Sequence, residues 1–127
     1  MSDYAVKNLL EIDDSFDGGD IEARFSRKYL DSEELGVSLF RYAPNKVATH
    51  GHHHKEQEEA YVVVGGSGRI RLDEEVIELH QFDVVRVAPH VVRAFDAGPE
   101  GLEIIAVGGR KPEDGDGVLD QDRWSAE

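Results

Sequence analysis

The feature that most constrains the fold of this chain is a succession of short segments rich in Val, Ile, Tyr and Phe, separated by turn-forming residues. From residue 23 onward about eight such segments follow one another: ARFSRKYL, GVSLFRYA, KVATHGHHH, AYVVV, GRIRL, EVIEL, DVVRVA and LEIIAVG. Turn-forming residues interrupt the run at Pro44, Gly65-Gly66, Pro89 and Gly98-Pro99. β-Branched and aromatic residues favour strands, and punctuation at this spacing is typical of a sandwich or closed barrel. The sequence therefore predicts an all-β fold.

Two turns and one domain division follow from the same pattern. GRIRLDEEVIEL has alternating segments on both sides of Asp73-Glu74-Glu75, which predicts a hairpin with a charged tip, and Gly65-Gly66-Ser67-Gly68 predicts another hairpin turn. A chain of 127 residues fits one domain. We expect an N-terminal arm over residues 1–22, a barrel over 23–110 and a polar C-terminal tail over 111–127, in which Val118, Leu119 and Trp124 are docking points.

The charge of the chain excludes two classes of partner. Asp and Glu number 27 against 14 Lys and Arg, which gives a formal net charge of −13. Such a surface repels nucleic acid and anionic membranes, so neither is expected as a partner.

No apolar run approaches the roughly 20 residues of a membrane helix, and no secretory signal pattern opens the sequence, so we expect a cytoplasmic protein. The acidity is also typical of proteins from high-salt habitats, although an ordinary acidic protein fits equally well.

A histidine cluster is the strongest chemical signal in the sequence. The chain has no cysteine, so only oxygen and imidazole ligands are available to a metal ion. His50, His52, His53 and His54 lie within five residues. Because side chains alternate along a strand, residues 50, 52 and 54 share one face and His53 takes the other. The glutamates of the following KEQEE segment supply candidate carboxylate ligands.

The segment HGHHHKEQEEAYVVVGGSG resembles the first motif of the cupin family, in which a His-x-His pair is followed by Glu and then by Gly. With His52 and His54 as the pair, Glu59 follows after four intervening residues and Gly66 after six more. The adjacent glutamate, Glu58, fits the same motif when Gly65 takes the glycine position. Lys46 stands where the family has its opening glycine.

The segment FDVVRVAPHVVRAF resembles the second cupin motif in part. Phe82 replaces the first glycine, Pro89 is displaced by one position, and His90 replaces the turn glycine. Arg93 stands where the fourth ligand, a histidine, is expected. Arginine stays protonated and does not ligate a metal, so three protein ligands remain. The resemblance implies a double-stranded β-helix, also called a jelly roll.

For the site, the resemblance implies one divalent metal ion, either Fe, Zn, Mn, Ni or Co, held by His52, His54 and Glu59. His50 and His90 are less favoured further ligands, as is Glu58 in place of Glu59. We predict that Arg93 and Tyr61 bind the substrate, a small anionic organic molecule. Alternatively, Arg93 pairs with Glu58 or Glu59 in a metal-free barrel.

Two functional classes remain open at this point. The chain is either a metal-dependent enzyme, similar to an oxygenase or isomerase, or a non-catalytic barrel that binds a sugar or small acid with or without metal. The resemblance also implies a homodimer, because cupins commonly cover their edge strands in this way.

Overall fold

The computed structural model describes residues 3–110 and 115–120, and nearly all of the regular secondary structure in this part of the chain is strand. A 3-10 helix spans Leu9–Glu11 and one short helix, α1, spans Arg27–Leu30. The strands are β1 (Ile21–Phe25), β2 (Gly36–Tyr42), β3 (Gly51–His54), β4 (Glu59–Leu72), β5 (Glu75–Leu79), β6 (Val84–Val87), β7 (Arg93–Gly108) and β8 (Gly117–Asp120).

The strands form one curled antiparallel sheet around two long central strands. Hydrogen bonding gives the order β1-β2-β7-β3-β8, and β4 pairs with β7 as well as with β5 and β6. β4 and β7 are 14 and 16 residues long and run beside each other over most of their length. The architecture confirms the all-β prediction. In the part of the chain that the structure describes, no helix is long and apolar enough to cross a membrane.

A glycine-rich bend lies inside β4, and here the prediction of a hairpin turn at Gly65-Gly66-Ser67-Gly68 is wrong. The strand continues through these residues, and its register against β7 shifts twice. A Cβ on Gly68 would lie 2.2 Å from the backbone oxygen of Asp96, and Gly66 has a φ of +68°. Glycine tolerates both the close approach and the left-handed backbone, so it serves here as a bulge.

Other boundaries also differ from the sequence pattern. β1 begins two residues before ARFSRKYL and covers its first three residues. Arg27–Leu30 of the same segment form α1, whose C-cap residue Asp31 has a φ of 54°. KVATHGHHH is extended only at its end, and LEIIAVG is the second half of β7, which begins at Arg93. The charged hairpin tip is confirmed, because Leu72 pairs with Glu75 across it.

The apolar core fills the inside of the sheet. Its buried members are Tyr61, Val63, Ile70, Leu79, Val87, Phe95, Ala97, Leu102, Ile104 and Ala106. Phe40 and Tyr42 of β2 are partly buried against this cluster. The inward faces of β3 and of the first residues of β4 carry polar side chains instead, and these form the candidate site.

The two terminal segments contribute strands to the sheet. β1 adds to β2, and β8 adds to β3 with four register pairs, so Val118 and Leu119 lie in a paired strand. Trp124 lies outside the described residues. The division into arm, barrel and tail stays a prediction.

Candidate metal centre and ligand cavities

The histidine strand β3 is held between β8 and β7. His52 lies opposite Leu119 of β8 on one side and opposite Arg93 of β7 on the other. His53 points to the opposite face from its neighbours, and its Nδ1 lies 2.8 Å from Asp120 Oδ2. The alternation expected from the sequence thus places His52 and His54 together on the inner face of β3, where His54 is buried and His52 is partly exposed.

His52, His54 and Glu59 form a compact group in which one ligand atom of each lies within 4.8 Å of the others. Glu59 is the first residue of β4, and its Oε1 lies 3.0 Å from His54 Nε2 and 3.7 Å from His52 Nε2. The hydroxyl of Tyr61 donates a hydrogen bond to Glu59. Two imidazoles and one carboxylate are ligands that several divalent transition metals accept.

The ring nitrogens of His54 provide a test of whether a metal fits this group. His54 is 9% exposed, and neither ring nitrogen makes a well-directed hydrogen bond to any described residue, despite the short distance to Glu59. Buried polar nitrogens normally have a partner. A metal ion bound to Nε2 would supply one, so the donor set fits a metal. Asp116 Oδ2 lies 3.5 Å from Nδ1, where it can orient the ring.

The carboxyl group of Glu59 is kept ionised by its neighbours. Burial alone raises the pKa of Glu59, but His52, His54 and the Tyr61 hydroxyl outweigh burial and hold this pKa well below its usual value. Burial and the charge of Glu59 raise the pKa of Tyr61, so its hydroxyl stays protonated and can donate. The group therefore presents an anionic oxygen to a cation at neutral pH.

Arg93 is a fully buried cation beside this group. Its exposed fraction is 0%, and its Nη2 donates a hydrogen bond of 2.9 Å to the backbone oxygen of Ala88. Nε and Nη1 find no acceptor among the described residues. The alternative pairing of Arg93 with Glu58 or Glu59 is not formed in this part of the chain, since Glu58 is exposed and pairs with Arg86 at 3.1 Å.

The remaining predicted ligands do not join the group. His50 and His90 are exposed, and neither belongs to the candidate metal group found among the described residues. Glu58 lies next to Glu59 but points to solvent, toward Arg86. Of the two adjacent glutamates, the structure therefore brings Glu59 to the histidines.

Two adjoining cavities open beside the group. The first, of about 310 Å³, is lined by Arg93, and the second, of about 370 Å³, is lined by His54 and Glu59. Both are of a size that suits small organic ligands. Four side chains line both cavities: Phe16, Phe40, His52 and Leu119. Tyr61, predicted to bind substrate, lines neither.

Four residues that line the cavities were not predicted from the sequence as site residues, although Leu119 was predicted as a docking point of the tail. Tyr42 and Phe40 share the inner face of β2, and alternation within GVSLFRYA was the signal that could have found them. Phe16 and Leu119 lie in segments without a strong pattern. Their place at the site depends on how the chain ends pack, which no local signal encodes.

Comparison with known proteins identifies the family. The family model for the cupin domain matches residues 38–108, more than half of the chain. The chain belongs to the cupin family. No curated protein has a sequence that matches this cupin.

Solved structures share the fold of this cupin at low sequence identity. A cupin protein from Bacteroides fragilis is 22% identical, with a TM-score of 0.72 and 89% of each chain covered. Pac13, a nucleoside dehydratase known from Streptomyces, is 14% identical, with a TM-score of 0.77, and 97% of this chain and 96% of that one are covered. A variant of Bacillus subtilis oxalate decarboxylase is 18% identical, with a TM-score of 0.69, over 87% of this chain and 32% of that one. These likenesses confirm the predicted cupin β-barrel, and they show the fold alone.

Proposed function

We propose that this cupin binds one divalent metal ion through His52, His54 and Glu59, and that it is a metal-dependent enzyme acting on a small anionic organic molecule held by Arg93. The observation that carries the proposal is the fully buried guanidinium with two unpartnered nitrogens, one strand away from His52. A reaction of the oxygenase or isomerase type suits a metal with three protein ligands and open positions.

Neighbouring groups of the protein orient the three proposed metal ligands. β3 holds both imidazoles on one face, Tyr61 fixes the carboxylate of Glu59, and Asp116 lies beside the His54 ring. When bound, a divalent ion supplies Lewis-acid polarisation of an oxygen atom of the ligand. The residues of the chain supply the orientation.

Arg93 makes an anionic ligand the favoured one. A buried, unpaired charge is costly, and a cation near a second cation is costlier still unless a negative group lies between them. A carboxylate can accept two parallel hydrogen bonds from a guanidinium. We therefore infer that the ligand places a carboxylate or similar group against Arg93 while another of its oxygens faces the metal group.

Relatives with the same fold support small molecules as ligands. One is named as an oxalate decarboxylase, and another was solved with uridine. Oxalate, in the name of the first of these proteins, is a small acid and so belongs to the ligand class that Arg93 favours.

Metal analysis tests the first half of the proposal. Protein purified without added chelator should contain about one divalent ion per chain. His52→Ala and His54→Ala should each lower the metal content sharply, because each removes a ligand. His80→Ala is the matched control, since His80 is an exposed histidine far from the group in sequence. Equal metal content in all four proteins would overturn the metal site.

Titration of the metal-loaded protein with small carboxylates tests the second half. Arg93→Lys keeps the charge but removes the planar fork, so carboxylate affinity should fall while metal content is kept or rises. Equal affinities in wild type and variant, or no binding by either, would refute the bridging role of Arg93. Oxygen-consumption and isomerisation screens with the bound acids then separate the enzyme from a non-catalytic binding barrel.

A further inference from the structure

The two cavities differ in chemical character, and this difference points to a narrower class of ligand. Building on the proposed function, we propose that the cavities together take one carboxylate that carries an aromatic or bulky apolar group, with Phe16 and Leu119 covering that group at the entrance. Each of these two side chains lines both cavities. Neither belongs to the metal group.

The first cavity has the charge of an anion site. Its lining holds the cations Lys46 and Arg93, and none of its described lining residues is acidic. Lys46 Nζ lies 3.8 Å from Asp20 Oδ2 outside the lining, whereas Arg93 has no acidic partner among the described residues. The chain as a whole carries a formal charge of −13, so a lining without Asp or Glu runs against its composition. A positive cavity within a negative protein concentrates small anions at that place.

The same cavity is rich in aromatic rings. Of the five Phe and four Tyr in the chain, Phe16, Phe40, Tyr42 and Phe95 line it. The rings of Tyr42 and Phe95 are tilted to each other with centroids 5.9 Å apart. Aromatic faces and edges of this kind accept another ring. Phe95 is only 6% exposed, so the ring surface that a ligand can cover belongs mainly to Phe16, Phe40 and Tyr42, and a carboxylate alone would leave that surface in contact with water.

Phe16 and Leu119 are exposed although they are large and apolar. Their exposed fractions are 55% and 58%. Phe16 is held in place, because the Asp14 carboxylate accepts hydrogen bonds of 3.0 Å from the backbone N–H groups of Phe16, Gly18 and Ala23. Leu119 is held on β8 opposite His52. When an apolar part of a ligand covers these two solvent-facing side chains, apolar surface is removed from water and the free energy of binding becomes more favourable.

Calorimetric titration of the zinc-loaded protein with three probes tests this inference. Acetate carries only the anion, benzyl alcohol only the ring, and phenylacetate both. Phenylacetate should bind at least about tenfold more tightly than acetate, since a hydrophobic pocket gains roughly this factor from even one added methylene group. Benzyl alcohol should bind more weakly than phenylacetate, because it lacks the group that pairs with Arg93.

Variants of Phe16 and Leu119 test whether these two side chains cause the preference for phenylacetate over acetate. Phe16→Ala and Leu119→Ala should each lower the affinity for phenylacetate by a larger factor than the affinity for acetate, and so remove most of the advantage of phenylacetate. Phe82→Ala is the control, because Phe82 is 74% exposed and lines neither cavity. A loss in Phe82→Ala as large as in Phe16→Ala would refute the assignment.

Three further outcomes count against the inference in distinguishable ways. Equal affinities of wild type for acetate and phenylacetate refute the apolar subsite and leave the proposed function standing. Failure of both acids to bind the zinc-loaded protein refutes the proposed function as well. If Phe16→Ala changes the mass in light scattering but not the affinity for phenylacetate, a second copy of the chain covers these side chains instead.

Discussion

At the scale of single residues, Tyr61 contacts the candidate metal group although it lines neither of the two cavities. The sequence predicted it as a substrate-binding residue, and that role stays a prediction. Its side chain is 3% exposed, and its hydroxyl donates to Glu59. The accepting atom is Oε1, the same oxygen that faces both histidines, so the contact fixes the orientation of the carboxylate toward them. Tyr61 is therefore placed as a positioning residue for the metal group.

Replacement of Tyr61 by Phe removes this hydrogen bond and leaves the ring in the core. We expect metal affinity to fall about 10- to 100-fold, the usual cost of losing a group that orients a ligand. Competition with a chelator of known affinity measures this change. Tyr29→Phe is the matched control, because the Tyr29 hydroxyl bonds Asp13 at the surface. Equal affinity in Tyr61→Phe and wild type would show that the hydroxyl does not support the ligand.

The grouping of the metal residues was accessible from sequence, whereas the cavity lining was only partly so. A period of two places His52 and His54 on one face, and the spacing of the family motif brings Glu59 to them. His50 shares this period but lies just before β3 begins at Gly51, so the alternation does not extend to it. Alternation within GVSLFRYA assigns Tyr42 to one face of β2, but the pairing of β2 with the distant β7, which brings that face to the cavity, is not encoded in a local pattern.

At the scale of elements, the glycines in β4 allow one strand to shift its register against β7 twice. Gly68→Ala places a Cβ about 2.2 Å from the Asp96 backbone oxygen, which forces the two long strands apart. We expect a loss of about 1 to 3 kcal/mol in the free energy of unfolding, the usual cost of overpacking. Urea denaturation measures it.

Gly109→Ala is the control for this change, since a Cβ there has no atom within 4 Å. Similar stability of the two variants would mean that the strands yield without cost. The prediction of a turn at these glycines failed because the residues that favour a tight turn are also those that allow a bulge, and only the pairing with β7 decides between them.

The loop that carries Phe16 should make stability depend on pH. Hydrogen bonds from the backbone N–H groups of Ala23, Phe16 and Gly18 hold the pKa of Asp14 below its ordinary value of 3.8. A carboxyl group whose pKa is lower in the folded state than in the unfolded state stabilises the fold when the pH is above the unfolded-state pKa. This stabilisation is lost as the pH falls through the folded-state pKa. Asp14→Asn should therefore lower the thermal midpoint at about pH 7, and the difference from wild type should shrink toward about pH 3.

Thermal unfolding followed by circular dichroism at both pH values checks the expectation for Asp14. Asp17→Asn, an exposed change in the same loop, should leave the midpoint close to that of wild type at either pH. A difference between Asp14→Asn and wild type that stays constant with pH would show that the ionised carboxylate is not what stabilises the loop.

At the scale of the whole molecule, exposed apolar residues near the edge strands support the predicted homodimer. β5 and β6 each pair only with β4 among the described strands. Val76 and Ile77 of β5, Val84 of β6 and the neighbouring Phe82 are exposed. Unpaired edges with apolar side chains favour association.

We expect light scattering at micromolar concentration to give twice the chain mass of 14.1 kDa. Val84→Glu should shift the mass toward the monomer, because a charge on β6 opposes edge pairing. Thr49→Glu, an exposed change away from β5 and β6, is the control and should leave the mass unchanged. A monomeric mass for wild type would overturn the prediction of a dimer.

The position of β8 sets an order of events during synthesis. β3 shares one register pair with β7 and four with β8, so most of its partners leave the ribosome after every other described strand. Domains assemble as their segments emerge. A nascent chain can thus build the β4–β7 framework while its histidine strand still lacks a fixed edge. Under the proposed function, we therefore expect metal binding at His52 and His54 only after β8 has paired with β3.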